Sequence, residues 1–308
     1  MKVLITGGAG YIGTTLTTML LKRGDSVRCY DRLMYGAAPV LQFFCNPRYE
    51  LMQGDIRDSE KLNHSLRDVD AIIHLAAIVG YPACKRDPEL AQQVNVLGTR
   101  TLNLARSPNQ LMVFASTGSN YGAVQGVCTE ETALNPLTVY GRTKTEAEKM
   151  LLDTGNVVAY RFATTFGLSP RLRLDLLVND YCYQAVQNRS LIVYEAHFQR
   201  TFIHVHDIAR AFVNALDNYD TMRDQVYNCG DNRMNASKLE IAKLIQQQTS
   251  FYLHLAGIGK DEDQRNYKVC YDKIQATGYR TTVTLEAGIS EMARAFQFLR
   301  VHNPYRNG

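Results

Sequence analysis

Several absences narrow what this chain can be before any residue speaks for it. None of its seven cysteines, Cys29, Cys45, Cys84, Cys128, Cys182, Cys229 and Cys270, forms a C-x-x-C pair, and their odd number fits neither a disulfide framework nor a zinc cluster. Reduced thiols in a cytoplasm are the simplest account. There is no dense Lys/Arg run; 34 basic and 30 acidic residues leave a net charge of +4, which argues against a nucleic-acid partner. The longest apolar stretch, around Ala71 to Gly80, contains His74 and falls well short of the ~20 residues a membrane helix needs. The N-terminus meets Thr6 and a glycine cluster after three apolar residues, so no secretory segment is expected. His204 and His206 alternate onto one strand face without a third ligand nearby, so no metal site is expected. Repeats, low-complexity tracts and long Gly/Ser linkers are also missing.

What is present begins with a glycine-rich loop, Gly7-Gly8-Ala9-Gly10-Tyr11-Ile12-Gly13. It follows the apolar strand candidate Lys2 to Thr6 and opens a helix candidate from Tyr11 to about Arg23, the context a dinucleotide fingerprint requires. Glycines let the backbone approach a pyrophosphate, and the unpaired amides at the helix start attract its charge. A second strand, Ser26 to Tyr30, ends at Asp31, about 20 residues beyond the loop, where a ribose carboxylate belongs. Such a carboxylate repels a 2′-phosphate and favours NAD over NADP, while Arg32 beside it leaves room for the phosphate.

The second signal is Tyr140-Gly-Arg-Thr-Lys144, preceded in the chain by Thr117. A phenol has a pKa of about 10, so a tyrosine acting as base near neutrality needs a cation to stabilise its phenolate. Lys144, four residues on, shares its helical face, and Thr117 from another segment supplies a hydrogen bond to the same substrate oxygen. The pattern points to hydride chemistry on an alcohol.

Strand candidates at Val3, Val27, Tyr49, Ile72, Leu111 and Val157 alternate with helical stretches, which predicts an α/β protein: a Rossmann doubly wound parallel sheet with right-handed crossovers. After Gly167 the pattern loosens, with helix candidates at 174–187, 237–248 and 285–299. The expected division is a nucleotide-binding domain at 1–166, with 200–217 returning to it, and a smaller, interleaved substrate domain at 167–308. The Tyr140 helix and the 95–105 helix offer small and apolar positions that suit either a homodimer face or packing on the sheet.

Further landmarks appear in order: Gly54-Asp55-Ile56, His74-Leu-Ala-Ala77, Asn95-Val-x-Gly-Thr99, Ser116-Thr117 leading to Tyr121-Gly122, and Arg200-Thr-Phe-Ile-His-Val-His-Asp207. With the loop and the Tyr-x-x-x-Lys pair, they make the chain resemble the extended short-chain dehydrogenase/reductase family, in its NAD-dependent group of nucleotide-sugar epimerases and dehydratases, over nearly its whole length. The resemblance implies NAD as cofactor and a UDP- or GDP-linked sugar as substrate. It implies that Gly7, Gly10, Tyr11, Ile12, Gly13, Asp31, Arg32, Asp55, Ile56, Leu75, Ala76, Ala77, Asn95 and Phe162 contact the cofactor, with Tyr140 and Lys144 on the nicotinamide ribose. Thr117, Thr164, Asn179, Arg200 and Arg265 would meet the substrate, the two arginines on its diphosphate, where a guanidinium fork suits paired oxygens. Arg171 and Arg173 border the same cleft. Asp55 has a second reading as the cap of a helix starting near Asp58.

Departures from the family pattern shape the reaction. Related 4,6-dehydratases carry an Asp-Glu pair after the catalytic threonine, where this chain has Gly118 and Ser119. Neither is an acid or base near neutrality, which disfavours dehydration; the missing acid disfavours decarboxylation, and Gly118 stands in the place of a 3,5-epimerase cysteine. Two outcomes remain after oxidation at C4: a 4-epimerase, placed first, and a 4-dehydrogenase of the type that acts on GDP-heptoses. Thr164 stands where 4-epimerases have an asparagine. A non-catalytic NAD sensor is a distant third, since such proteins lose the tyrosine or the lysine.

Overall fold

The structure, a computed structural model, describes residues 1–257 and 265–300. Seven strands build its central sheet: β1 (Lys2–Thr6), β2 (Ser26–Asp31), β3 (Tyr49–Gln53), β4 (Ala71–His74), β5 (Leu111–Thr117), β6 (Val158–Phe162) and β7 (Gln225–Cys229). Their spatial order is β7-β6-β5-β4-β1-β2-β3, with every neighbouring pair parallel. The chain reverses direction across the sheet between β1 and β4, which opens a crevice at the carboxyl ends of these strands. Near-continuous apolar runs such as Val3-Leu-Ile5 and Ala71-Ile-Ile73 are buried on both faces, as a sheet covered on both sides demands.

Helix α1 (Tyr11–Arg23) packs against α3 (Val205–Asp217) on one face, sharing a core of Leu16, Leu20, Ala209 and Phe212. Gly24 ends α1 in the left-handed region (φ 102°), where its amide bonds the Leu20 and Leu21 carbonyls. On the opposite face, α2 (Val139–Thr154) contributes Ala147 and Leu151 to a core with Ile72, Leu102 and Phe114. Thr138 caps α2, accepting from Gly141 N at 3.0 Å, and so fixes where Tyr140 begins its turn.

A second core lies in the C-terminal half, where Phe166, Phe202, Ile241, Ile289 and Phe296 pack between helices Leu177–Gln187, Lys238–Gln246 and Leu285–Phe296. It surrounds a three-stranded sheet of Thr164–Phe166, Gln199–His204 and Asn235–Ser237. The 200–217 segment therefore divides: its strand belongs to this small sheet and its helix, α3, to the nucleotide-binding face. β7, which the sequence pattern did not single out, extends the central sheet beyond β6. Among the described residues no helix is long and apolar enough to cross a membrane, and all seven cysteines are free.

Candidate active site

The crevice is floored by the loop between β1 and α1. Gly7 has φ 73°, and a Cβ there would stand 2.7 Å from the Ala76 amide nitrogen, so the loop packs this closely on the β4 end only without a side chain. Gly10 begins α1 with no side-chain cap, which leaves the first-turn amides beside the cleft that Gly10, Tyr11, Ile12 and Gly13 line. At the end of β2, Asp31 accepts from Ala9 N (3.0 Å) and Leu33 N (2.7 Å); burial raises its carboxyl pKa, opposed by these two amides and by Arg171. Arg32 turns to Asp55 (3.6 Å), whose carboxylate Arg57 also holds at 2.8 Å. Asp58, not Asp55, caps the following helix, accepting from Lys61 N. An uncapped helix start, a loop closed to side chains and a carboxylate at the β2 end fit a dinucleotide.

Under this floor His74 bridges Thr6 Oγ1 (2.6 Å) and Thr99 Oγ1 (2.9 Å). Burial, reinforced by the Lys144 charge, pushes it down to about 3, so it is a neutral strut between β1, β4 and the 99–105 helix.

The reacting wall lies across the crevice. Thr117 ends β5 on the same cleft wall as Tyr140, and its hydroxyl bonds Ser119 Oγ at 3.1 Å. Burial pushes Tyr140 up to about 12, and Cys84 adds to this; Arg173, the Thr117 hydroxyl and Arg265 pull it back. Lys144 is buried with Nζ 3.9 Å from the centre of the Phe114 ring, and desolvation drives it down to about 7, opposed by Glu148 and Cys84. Arg173 and Arg265 thus add their charges to the phenol's surroundings, while Lys144 lines the same cleft one turn along the helix. Arg173 is clamped by Asp175 (2.5 and 3.1 Å), and Arg265 donates to Ser119 Oγ at 2.5 Å, beside Thr117. A Cβ on Gly118 would stand 3.1 Å from the Phe162 carbonyl oxygen and 3.3 Å from Tyr267 Oη. Near the β2 end of the cleft the Arg171 guanidinium lies 4.2 Å over the Tyr35 ring.

Of the residues singled out from sequence, one cleft gathers Gly7, Gly10, Tyr11, Ile12, Gly13, Asp31, Arg32, Asp55, Ile56, Leu75, Ala76, Ala77, Thr117, Tyr140, Lys144, Phe162, Thr164 and Arg265. Three others are turned to the protein interior. Asn95 exchanges hydrogen bonds with the Ile78 backbone and reaches Thr143. Asn179 ties Gly167 N (3.0 Å) to Arg173 O (2.8 Å) and so shapes the loop that carries Arg173. Arg200 is buried, donating to Gln199 O beside the Phe198 ring, and does not line the cleft. Arg265 lines the cleft and reaches Ser119; the Asp263-Gln264 part of its motif lies outside the described residues. Tyr35, Tyr81 and Tyr267 line the cleft without having been anticipated, since a lone tyrosine carries no spacing signal. Among the described residues no cluster of His, Cys, Asp or Glu could hold a metal, and His204 caps α3 through His206 N.

A family model described as "NAD dependent epimerase/dehydratase family" matches residues 3–230. The chain is 28% identical to UDP-glucuronic acid decarboxylase 2 of Arabidopsis thaliana over 96% of its own length and 68% of the relative's. It is 27% identical to a putative UDP-glucose 4-epimerase of Methanocaldococcus jannaschii over 94% and 96%. The chain spans about half the length of two other curated relatives that it matches, 46% of a UDP-glucose 4-epimerase of Lactobacillus helveticus and 58% of UDP-glucuronic acid decarboxylase 1 of Arabidopsis thaliana. A UDP-glucuronic acid 4-epimerase from Bacillus cereus, solved with UDP-glucuronic acid and NAD, superposes with a TM-score of 0.86 at 25% identity, covering 96% of this chain and 99% of that one.

Proposed function

Because the chain belongs to the NAD dependent epimerase/dehydratase family and is an enzyme that uses NAD, we propose that it oxidises C4 of a nucleotide-linked sugar and acts as a nucleotide-sugar 4-epimerase. The observation that carries this reading is the meeting of Thr117, Tyr140 and Lys144 on one cleft wall, where neither Gly118 nor Ser119, next after Thr117 in the chain, offers a further acid or base. Tyr140 takes the proton of the C4 hydroxyl, and Thr117 holds that oxygen while the proton leaves. Lys144 binds the nicotinamide ribose, and the Arg173 and Arg265 charges favour the phenolate against the burial that opposes it. When bound, NAD supplies the hydride acceptor. Ser119, held between Thr117 and Arg265, carries no proton to or from C5 or C6.

Residues 1–166 with α3 and β7 are assigned to the cofactor, and most of 167–300 to the sugar nucleotide, with Thr164 and Arg265 at the seam. The same reading takes the relatives' UDP-sugars as the first substrates to try and places a homodimer on the helix that exposes Leu97 and Leu104. The test is proton NMR of UDP- and GDP-linked hexoses and heptoses incubated with enzyme and NAD, alongside NADH absorbance. Inversion at C4 without net NADH is expected. A 4-keto sugar matched by NADH would replace the epimerase with the 4-dehydrogenase that Thr164 suggests, and no change in any sugar would overturn both.

A further inference from the structure

Beneath Thr117 a buried charge pair joins three elements. Glu148 lies one turn beyond Lys144 on α2, so Tyr140, Lys144 and Glu148 follow one another at four-residue steps along one helix face. Its carboxylate accepts from Ser116 Oγ at 2.5 Å, Ser116 being the neighbour of Thr117 on β5. Arg161 on β6 grips the same carboxylate, Nη2 to Oε1 at 2.7 Å and Nε to both oxygens at 3.1 and 3.2 Å. Its Nη1 goes on to Tyr121 Oη and the Glu130 carbonyl. Asn120 donates to both Ser116 and Glu148. Glu148 is 2% exposed and Arg161 6%. Removing two charges from water to this degree costs about what their attraction returns, so stability alone gives little reason for the pair.

We propose that Glu148 and Arg161 are a positioning couple for the reacting centre: Glu148 locks the Thr117 end of β5 to the helix bearing Tyr140 and Lys144, and its charge, tempered by Arg161, keeps Lys144 a cation where it meets the cofactor ribose. The inference rests on the cofactor role given above to Lys144. Lys144 faces Glu148 on its own helix, Cys84 from the Tyr81–Arg86 helix, His74 from β4 and the Phe114 ring from β5. At neutral pH the Cys84 thiol, pushed up to about 12 by burial, and the His74 imidazole, pushed down to about 3, are both uncharged. Among these neighbours Glu148 is then the charge that offsets the desolvation of Lys144. Neither Glu148 nor Arg161 lines the cleft, so both act through other residues.

The test is NADH binding, followed by fluorescence across the neutral range, in the wild type and in Glu148→Gln, Arg161→Gln and the double variant. Binding weakens as Lys144 loses its proton. Glu148→Gln is expected to move that midpoint to lower pH and Arg161→Gln to higher pH, each by roughly one unit or more. The double variant leaves no buried charge unpaired and is expected to fall less than Glu148→Gln alone. Midpoints that stay at the wild-type value, or move together in one direction, overturn the couple. Should the single variants not fold, the double variant decides: a lowered midpoint supports the proposal and an unchanged one overturns it. Ser116→Ala reads the mechanical half: a lower kcat at unchanged midpoint is expected, and unchanged turnover overturns that half. Binding needs no sugar, so wild-type midpoints would sink the couple while leaving C4 oxidation standing, whereas full turnover in Tyr140→Phe would sink the base assignment and leave the midpoints intact.

Discussion

The two walls of the cleft are built on different principles. The cofactor floor is made of backbone: a loop that excludes side chains at Gly7, the uncapped start of α1, and strand ends in parallel register. The reacting wall is made of side-chain charge brought in from afar, with Arg173 lining the cleft and Arg265 reaching Ser119 from the C-terminal half. Geometry of the first kind is set by neighbours in sequence; that of the second depends on how the two cores, around Phe212 and around Phe202, meet. A floor of amides binds the same group in any relative, while a wall of loop-borne charge is free to change with the substrate.

Substitutions on the two walls should therefore fail in different ways. The largest effect is expected from Tyr140→Phe: turnover falls by about two to four orders of magnitude, far more than NADH affinity does, as kinetics and titration of one preparation will show. On the floor, Gly7→Ala forces a Cβ against the Ala76 backbone at a positive φ, and a loss of about 2–3 kcal/mol in urea stability together with weakened NADH binding is expected. The arginines separate the walls again. Arg265→Ala lowers kcat/KM by about one to two orders of magnitude at nearly constant Tm, because it removes a charged contact at the reacting centre. Arg200→Ala leaves the cleft lining intact and lowers Tm instead; equal kinetic losses in both would erase the distinction.

His74 gives a finer test. Its folded pKa is depressed below the unfolded value, so the neutral strut contributes its full stability above about 6.5, and that contribution is lost as pH falls from there towards 3. His74→Gln removes the proton uptake, so the acid slope of unfolding free energy below pH 6.5 should be shallower by up to one proton. The smallest effect is expected from Leu104→Glu: Leu104 is 80% exposed, so the monomer fold stays intact, and sedimentation is expected to show the proposed homodimer shifted to monomer.

The floor was legible in the sequence because its signals are local. α1 runs from Tyr11 to Arg23 as the glycine spacing and apolar pattern predict, and six of the seven central strands stand where β-rich apolar segments were read. β7 was not, because Gln225-Val-Tyr-Asn-Cys229 looks no more strand-like than several C-terminal segments until β6 offers it an edge. Asn95, Asn179 and Arg200 stand within motif segments, yet the backbone groups they bond, at Ile78, Arg173 and Gln199, follow no spacing rule that the sequence displays. The placement of Arg265 on Ser119, 146 positions away, was equally hidden.

Gly118 carries a consequence for how activities in this fold diverge. Its missing side chain faces the Phe162 carbonyl, part of a strand hydrogen-bonded on both edges, and the Tyr267 hydroxyl. A side chain written into that position presses on both, so Tyr267 or the end of β6 has to give by a few tenths of an ångström to admit it. A change of chemistry at this position therefore draws a small repacking of Tyr267 or the end of β6 along with the codon.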